Sequence, residues 1–224
     1  MYDNQRSGFW SMMTPAVKNL VIINAIVLLA TWVIGDSMYE KLALFAFGSD
    51  FFKPHQIVTH MFMHGGFWHL FFNMYTLMIF GSVLEHAWGS RKFLLFYFVT
   101  GLGAALCHNM VLHLEFEHFM NIGKTVEAIN VLRTPTVGAS GAIYGVLLGF
   151  AMLFPNAELR LVFVPFVPVK AKWLVLIFAG IELLTGVSGT SDGIAHFAHL
   201  GGMLFGLLLI LYWKKKNKLY DYNG

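Results

Sequence analysis

An all-α membrane protein built from six spanning helices is the fold class that this sequence predicts, and three observations predict it. Charged residues make up only 12% of the 224, against 57% apolar, whereas a soluble domain carries about a quarter charged to cover its water-facing surface. Six apolar runs are separated by segments in which Gly, Pro and polar residues gather. The basic residues divide unevenly between the two sets of connections that six crossings create. This composition excludes a disordered chain, a nucleic-acid binder that relies on a basic surface, and almost every soluble enzyme. The single cysteine, Cys107, excludes an intrachain disulfide framework and a multi-Cys zinc site.

The first run, roughly Leu20–Ile34, follows a mixed segment, Met1–Lys18. That segment lacks a basic stretch leading into a short apolar one with a small-residue cleavage site, so the run is read as a retained span and not a signal peptide. The second run is Phe67–Leu84, the third Phe93–Leu112, the fourth Gly138–Phe154, the fifth Trp173–Leu184 and the sixth Ala195–Trp213. A ~30 Å hydrocarbon core takes about 20 helical residues, so the shorter runs need flanking residues or local bilayer thinning. Glu182 interrupts the fifth. The expected organisation is a cytoplasmic segment at 1–18, a membrane domain at 19–213 and a basic cytoplasmic tail at 214–224. Two connections are long: Gly35–Gly66, rich in aromatics and His, and His113–Val137, mildly acidic and left without an assigned structure. Connections of this size often cover or gate a site.

Six spans place both termini on one side, and positive charge selects which side. Arg6, Lys18, Arg91, Lys92, Arg160, Lys170, Lys172, Lys214, Lys215, Lys216 and Lys218 fall with the termini; Lys41, Lys53, Lys124 and Arg133 fall opposite, a split of 11 to 4 that accounts for all 15. Both termini are therefore expected in the cytoplasm. The compact length and lack of a targeting segment point to a bacterial cytoplasmic (inner) membrane. The run Lys214–Lys218 reads as a stop anchor that also favours anionic lipids.

Helical rise then gives depth. Ser140 and His199 each precede the cytoplasmic end of their span by 15 residues, about 22 Å. His69 and Asn73 come out at about 24 and 18 Å. Four polar residues thus share one level, several Å beneath the outer surface of a ~30 Å slab, where they are costly unless they pair or line a wet cavity.

Their chemistry is coherent. The fourth span opens Gly138-Ala139-Ser140-Gly141, leaving the Ser140 hydroxyl uncrowded at a helix start where free N–H groups and the positive dipole end gather. Gly141, Gly145 and Gly149 form a small-residue stripe on which another helix can pack closely. His199, Gly202 and Gly206 make a matching stripe on the sixth span, and packing the two would bring an imidazole to Ser140. A serine hydroxyl is a weak nucleophile that a hydrogen-bonded imidazole activates. His69 and Asn73, one turn apart on the second span, can both donate hydrogen bonds to an oxyanion. Tyr144, one turn below Ser140, can stack under the imidazole.

Gly138-Ala139-Ser140-Gly141, His69-x3-Asn73 and Ala198-His199-Leu200-Gly201-Gly202 together resemble the signature of rhomboid intramembrane serine proteases, and the resemblance runs from about Pro54 to Trp213. It implies a six-helix rhomboid-like bundle and a Ser140–His199 dyad with no third acid. It implies His69, Asn73 and the Ser140 amide as oxyanion donors, and Tyr144 packed on His199. Substrates of the family are single-span membrane proteins with helix-breaking residues near the cut, and no cofactor is needed. One departure stands in the first outer loop, where His55-Gln56 occupies the place of the Trp-Arg pair of many relatives.

His196 lies three residues before His199 on nearly the same face; only His199 precedes Leu-Gly-Gly, so the resemblance selects it and leaves His196 as a loop-facing residue or a structural hydrogen-bonder. His60 and His64 are spaced like metal ligands, but no carboxylate accompanies them and no His-Glu-x-x-His occurs, so structural hydrogen bonding and no metal site is expected. Glu182 suits a transporter's ion site, or is ordinary if its end of the span is wet. A transporter would show inverted repeats with broken helices, and none is found; a silent relative would lack the serine or the histidine, and both are present.

Overall fold

The computed structural model describes residues 13–161, 164–188 and 194–219. Most of the expected N-terminal segment at 1–18, with Arg6, lies outside these residues, as does the end of the tail. Helix α1 runs over Pro15–Ile34. Proline in the first turn has no N–H to satisfy, and the next two donors, on Ala16 and Val17, reach the Glu85 carboxylate at 2.9 Å each. The hydroxyls of Thr14 and Ser90 donate to the same carboxylate. One buried acid therefore caps α1 and ties the end of the second span to the start of the third.

The first long connection contains α2 (Ser37–Leu42) and α3 (Gln56–Thr59), the latter continued by a 3₁₀ turn at His60–Phe62. Its anchor is the His55-Gln56 pair. Gln56 is fully buried; its amide donates to the carbonyls of Glu40 and Phe51 at 3.0 and 3.1 Å and accepts the Lys53 N–H at 3.0 Å. His55 Nε2 donates to the Lys41 carbonyl at 2.7 Å. Side chain to backbone bonds thus do the anchoring at the point where the sequence departs from the family pattern.

The second span is α4 (Phe67–Thr76), one π-helical turn at Leu77–Gly81, and α5 (Ser82–Trp88). Gly89, with φ of 76°, makes the left-handed corner that a side chain would resist, and α6 begins at once. It runs over Ser90–Asn121, past the expected end at Leu112, and α7 (Thr125–Arg133) follows. The stretch after Leu112 turns polar but holds no Gly or Pro until Gly123, so the helix continues where hydropathy stops.

Helix α8 covers Ser140–Leu153. Between it and α9 (Ala171–Ser188) the expected plain connection is instead an antiparallel hairpin of β1 (Glu158–Leu161) and β2 (Val164–Lys170), pairing Glu158 with Lys170 and Leu159 with Val169. The valine-rich β2 segment favours a strand, although its two prolines read as loop signals. Helix α10 is His196–Lys215.

The result is an all-α bundle apart from this hairpin. Among the described residues, five helical segments are long and apolar enough to cross a membrane: α1, the α4–α5 unit, α6, α9 and α10; α8, at 14 residues, is a shorter apolar helix. Helices α6, α8 and α10 pack together at the centre. A Cβ on Gly202 would lie 1.9 Å from the Gly141 carbonyl oxygen, and one on Gly145 would lie 3.0 Å from that of Gly202. The two small-residue stripes therefore face each other in backbone contact. Trp88, Phe96 and Trp213 close the far end of the core, with ring centroids 5.0 to 6.0 Å apart. Leu176, Ile181, Leu184 and Val187 on α9 point outward and exposed, the apolar surface that lipid accepts and water does not.

Candidate active site

Ser140 is the first residue of α8, and the preceding Ala139 offers no side-chain cap, so the first-turn N–H groups have no partner within the helix. The small stripe of α10 brings His199 to it: Nε2 lies 2.7 Å from Ser140 Oγ. His199 is buried, at 7% exposure, and its ring lies parallel to that of Tyr144, with centroids 4.1 Å apart and 5° between planes. Of the two candidate histidines it is His199, not His196, that meets the serine.

Gly138 has φ of 132°, and its N–H donates to the His60 carbonyl at 3.0 Å. A Cβ there would lie 3.0 Å from His69 Nε2 and 3.5 Å from Ser140 Oγ. His69 and Ser140 therefore flank one small gap that only glycine leaves open. The Gly65 N–H approaches His69 Nδ1 at 3.4 Å, which makes Nδ1 an acceptor and leaves the proton on Nε2, the nitrogen beside the gap. Asn73, one turn further along α4, is buried, and its Nδ2 has no hydrogen-bond partner. Gly141, Gly202 and Gly206 hold the close approach of α8 and α10 rather than touching the gap; the Cβ that Gly206 lacks would lie 3.5 Å from Gly145 Cα.

Behind Ser140 a cavity of about 20 Å³, bounded by His60, Thr136, Gly138 and Ala198, has room for one water. His60 Nδ1 donates to the Gln56 carbonyl at 2.9 Å, and burial lowers its pKa to about 4. His64 is fully buried with neither ring nitrogen hydrogen-bonded, its ring edge-on to His69 at 5.0 Å. Burial first, then the nearby His69, lowers its pKa to about 3. Both rings are thus neutral, and among the described residues no three His, Cys, Asp or Glu side chains group as a metal site.

Glu182 joins these residues although its sequence context marks it only as an acid within an apolar span. It is 6% exposed, not in a wet rim. Its Oε2 lies 2.6 Å from His196 Nδ1, its Oε1 accepts the Tyr144 hydroxyl, and that oxygen is 3.0 Å from His199 Nδ1. The last approach falls off the N–H axis, so Nδ1 makes no hydrogen bond as placed. The resemblance implies no third acid, yet a carboxylate lies on the far side of the imidazole. The available signal was the cost of a lone acid in an apolar span, which demands a partner.

Fold and site together define a membrane-embedded helical protein with a serine and an imidazole in hydrogen-bond contact at the start of a short central helix. Residues 52–216 match the family model of the Rhomboid domain. The chain belongs to the rhomboid family. It is 31% identical over 189 residues to RHOMBOID-like protein 12, mitochondrial, of Arabidopsis thaliana, covering 83% of this chain and 54% of that protein. It is 29% identical over 156 residues to Rhomboid protease AarA of Providencia stuartii, covering 66% and 52%. To Rhomboid protein 1, mitochondrial, of Saccharomyces cerevisiae it is 31% identical over 159 residues, covering 71% and 42%. The chain spans about half the length of these curated relatives. It is an integral membrane protein by its helices and family, but mitochondrial relatives stand beside bacterial ones, so the similarity does not carry the expected bacterial membrane.

Proposed function

We propose that the chain is an intramembrane serine endopeptidase that cleaves single-span membrane proteins in or beside their transmembrane segment. The observation that carries this reading is the 2.7 Å contact of His199 Nε2 with Ser140 Oγ at an uncapped helix start. His199 takes the hydroxyl proton as Oγ attacks the peptide carbonyl. The resulting oxyanion is held by the Ser140 N–H, by His69 Nε2–H across the gap that Gly138 leaves, and by the Asn73 amide. His199 then protonates the departing amine, leaving an acyl-enzyme. Water gives a proton to His199 and attacks the ester; collapse releases the new carboxyl end and returns the proton to Ser140. No step calls for a cofactor.

The same reading takes α8, about 21 Å long, as the fourth of six spans, crossing a locally thin bilayer, with residues 1–18 and 214–224 in the cytoplasm and Ser140 opening to the outer side. The relative named Rhomboid protease supports the reaction class. The test is cleavage of a single-span model substrate by the purified chain in liposomes, with fluorophosphonate labelling in parallel. Wild type cleaves and labels; Ser140→Ala does neither, and His199→Ala does not cleave. Cleavage by Ser140→Ala at the wild-type rate would refute the proposal.

A further inference from the structure

We propose that Glu182 is a positioning residue for His199: its carboxylate holds the imidazole with the proton on Nδ1 and balances the positive charge that the ring gains on taking the Ser140 proton. This rests on the proteolytic reading above and adds a third member to its machinery.

Three observations carry it. The imidazole is engaged on opposite edges, with Nε2 at 2.7 Å from Ser140 Oγ and Nδ1 at 3.0 Å from Glu182 Oε1. A base that is oriented by a third group on its far nitrogen is the general arrangement of an activated nucleophile. The carboxylate is itself fixed, by the Tyr144 hydroxyl on Oε1 and by His196 at 2.6 Å on Oε2, so it need not be ordered when the reaction begins. Both partners are nearly dry, Glu182 at 6% and His199 at 7% exposure, and a charge so buried requires an opposite one. The off-axis approach at Nδ1 is no obstacle, since catalytic hydrogen bonds often align only when substrate is bound.

Among the described residues, the groups facing Glu182 are Tyr144 from α8 and His196 and His199 from α10, with Thr185 on its own helix 3.1 Å from His196 Nδ1. His196 is the competing explanation, because the carboxylate bonds it more squarely and that pair alone would tie α9 to α10. The kinetics of the two differ. A structural tie changes stability and substrate handling, whereas a positioning residue changes turnover of the bound substrate.

The experiment uses the full chain in liposomes with a fluorogenic single-span peptide, comparing wild type, Ser140→Ala, Glu182→Gln, Glu182→Asp and His196→Ala. Glu182→Gln is expected to lower kcat about 10- to 100-fold with KM nearly unchanged and fluorophosphonate labelling slowed in parallel. Glu182→Asp is expected to recover part of kcat, and His196→Ala to lose much less than Glu182→Gln. In ¹⁵N-histidine-labelled wild type, His199 is expected as the Nδ1–H tautomer, a reading that stands even if Glu182→Gln does not fold. Wild-type kcat in Glu182→Gln, an equal loss in His196→Ala, no recovery in Glu182→Asp, or the Nε2–H tautomer at His199 would each overturn the inference. Ser140→Ala separates the two claims: if it still cleaves, the proteolytic reading fails; if it is dead while Glu182→Gln is normal, only the role of Glu182 fails.

Discussion

Replacing Gly202 by alanine tests whether backbone contact between α8 and α10 sets the serine–imidazole distance. The added Cβ would stand 1.9 Å from the Gly141 carbonyl oxygen, whereas carbon and oxygen settle no closer than about 3.3 Å even in favourable contacts. The obstacle is backbone on both sides, so no rotamer relieves it, and the helices must separate or slide by about 1.4 Å at that level. Ser140 and His199 lie one turn or less from the collision on their respective helices, so much of this displacement reaches them. A contact of 2.7 Å then opens beyond hydrogen-bond range, and a misplacement of about 1 Å is enough to cost about 100-fold in rate. Overpacking also costs about 1–3 kcal/mol of stability. The assay is kcat on the single-span substrate in liposomes, with the fluorophosphonate rate as a substrate-independent measure of the nucleophile and thermal unfolding to separate rate from folding. Gly180→Ala is the control, since nothing lies within 4 Å of a Cβ there; it should behave as wild type. A Gly202→Ala protein that folds and keeps more than half of wild-type kcat would show that this backbone contact does not set the Ser140–His199 distance.

Glu85→Ala removes the acceptor of two helix-start N–H groups and two hydroxyls, and should lower stability by about 2–3 kcal/mol, read as a fall in thermal midpoint with kcat per folded molecule little changed. Gln56→Ala deletes three side-chain hydrogen bonds at 3.0 to 3.1 Å; the first outer connection should become a site of rapid limited proteolysis. His60 gives a pH prediction. Its folded pKa is lowered by burial from 6.5 to about 4, so between these values the unfolded chain binds a proton that the folded chain does not, and stability falls as pH drops through that window. His60→Gln should flatten the decline in thermal midpoint over the same window, leaving the part that His64 contributes in the same direction.

Much of this protein was legible in one dimension. Apolar runs report which segments prefer lipid, and helical rise converts spacing into depth; together they put Ser140, His199, His69 and Asn73 at one level before any contact was known. Glycine at every fourth position told which faces can approach, because the absence of a side chain is itself a local property. Hydropathy misjudged α6 beyond Leu112, where a helix continues in polar residues, and the hairpin after α8, where strand pairing outweighs two prolines.

Composition and spacing specify the solvent that the chain requires, the faces that can touch and the residue types that could meet. Only the folded chain shows that Glu182 turns inward to Tyr144, His196 and His199 and that Gly138 leaves a gap beside His69. The physical reason is that these are distances between side chains on different helices, set by the rotation and offset of α9 and α10 against α8. Rotating a helix by a fraction of a turn preserves its hydropathy and changes every partner it has.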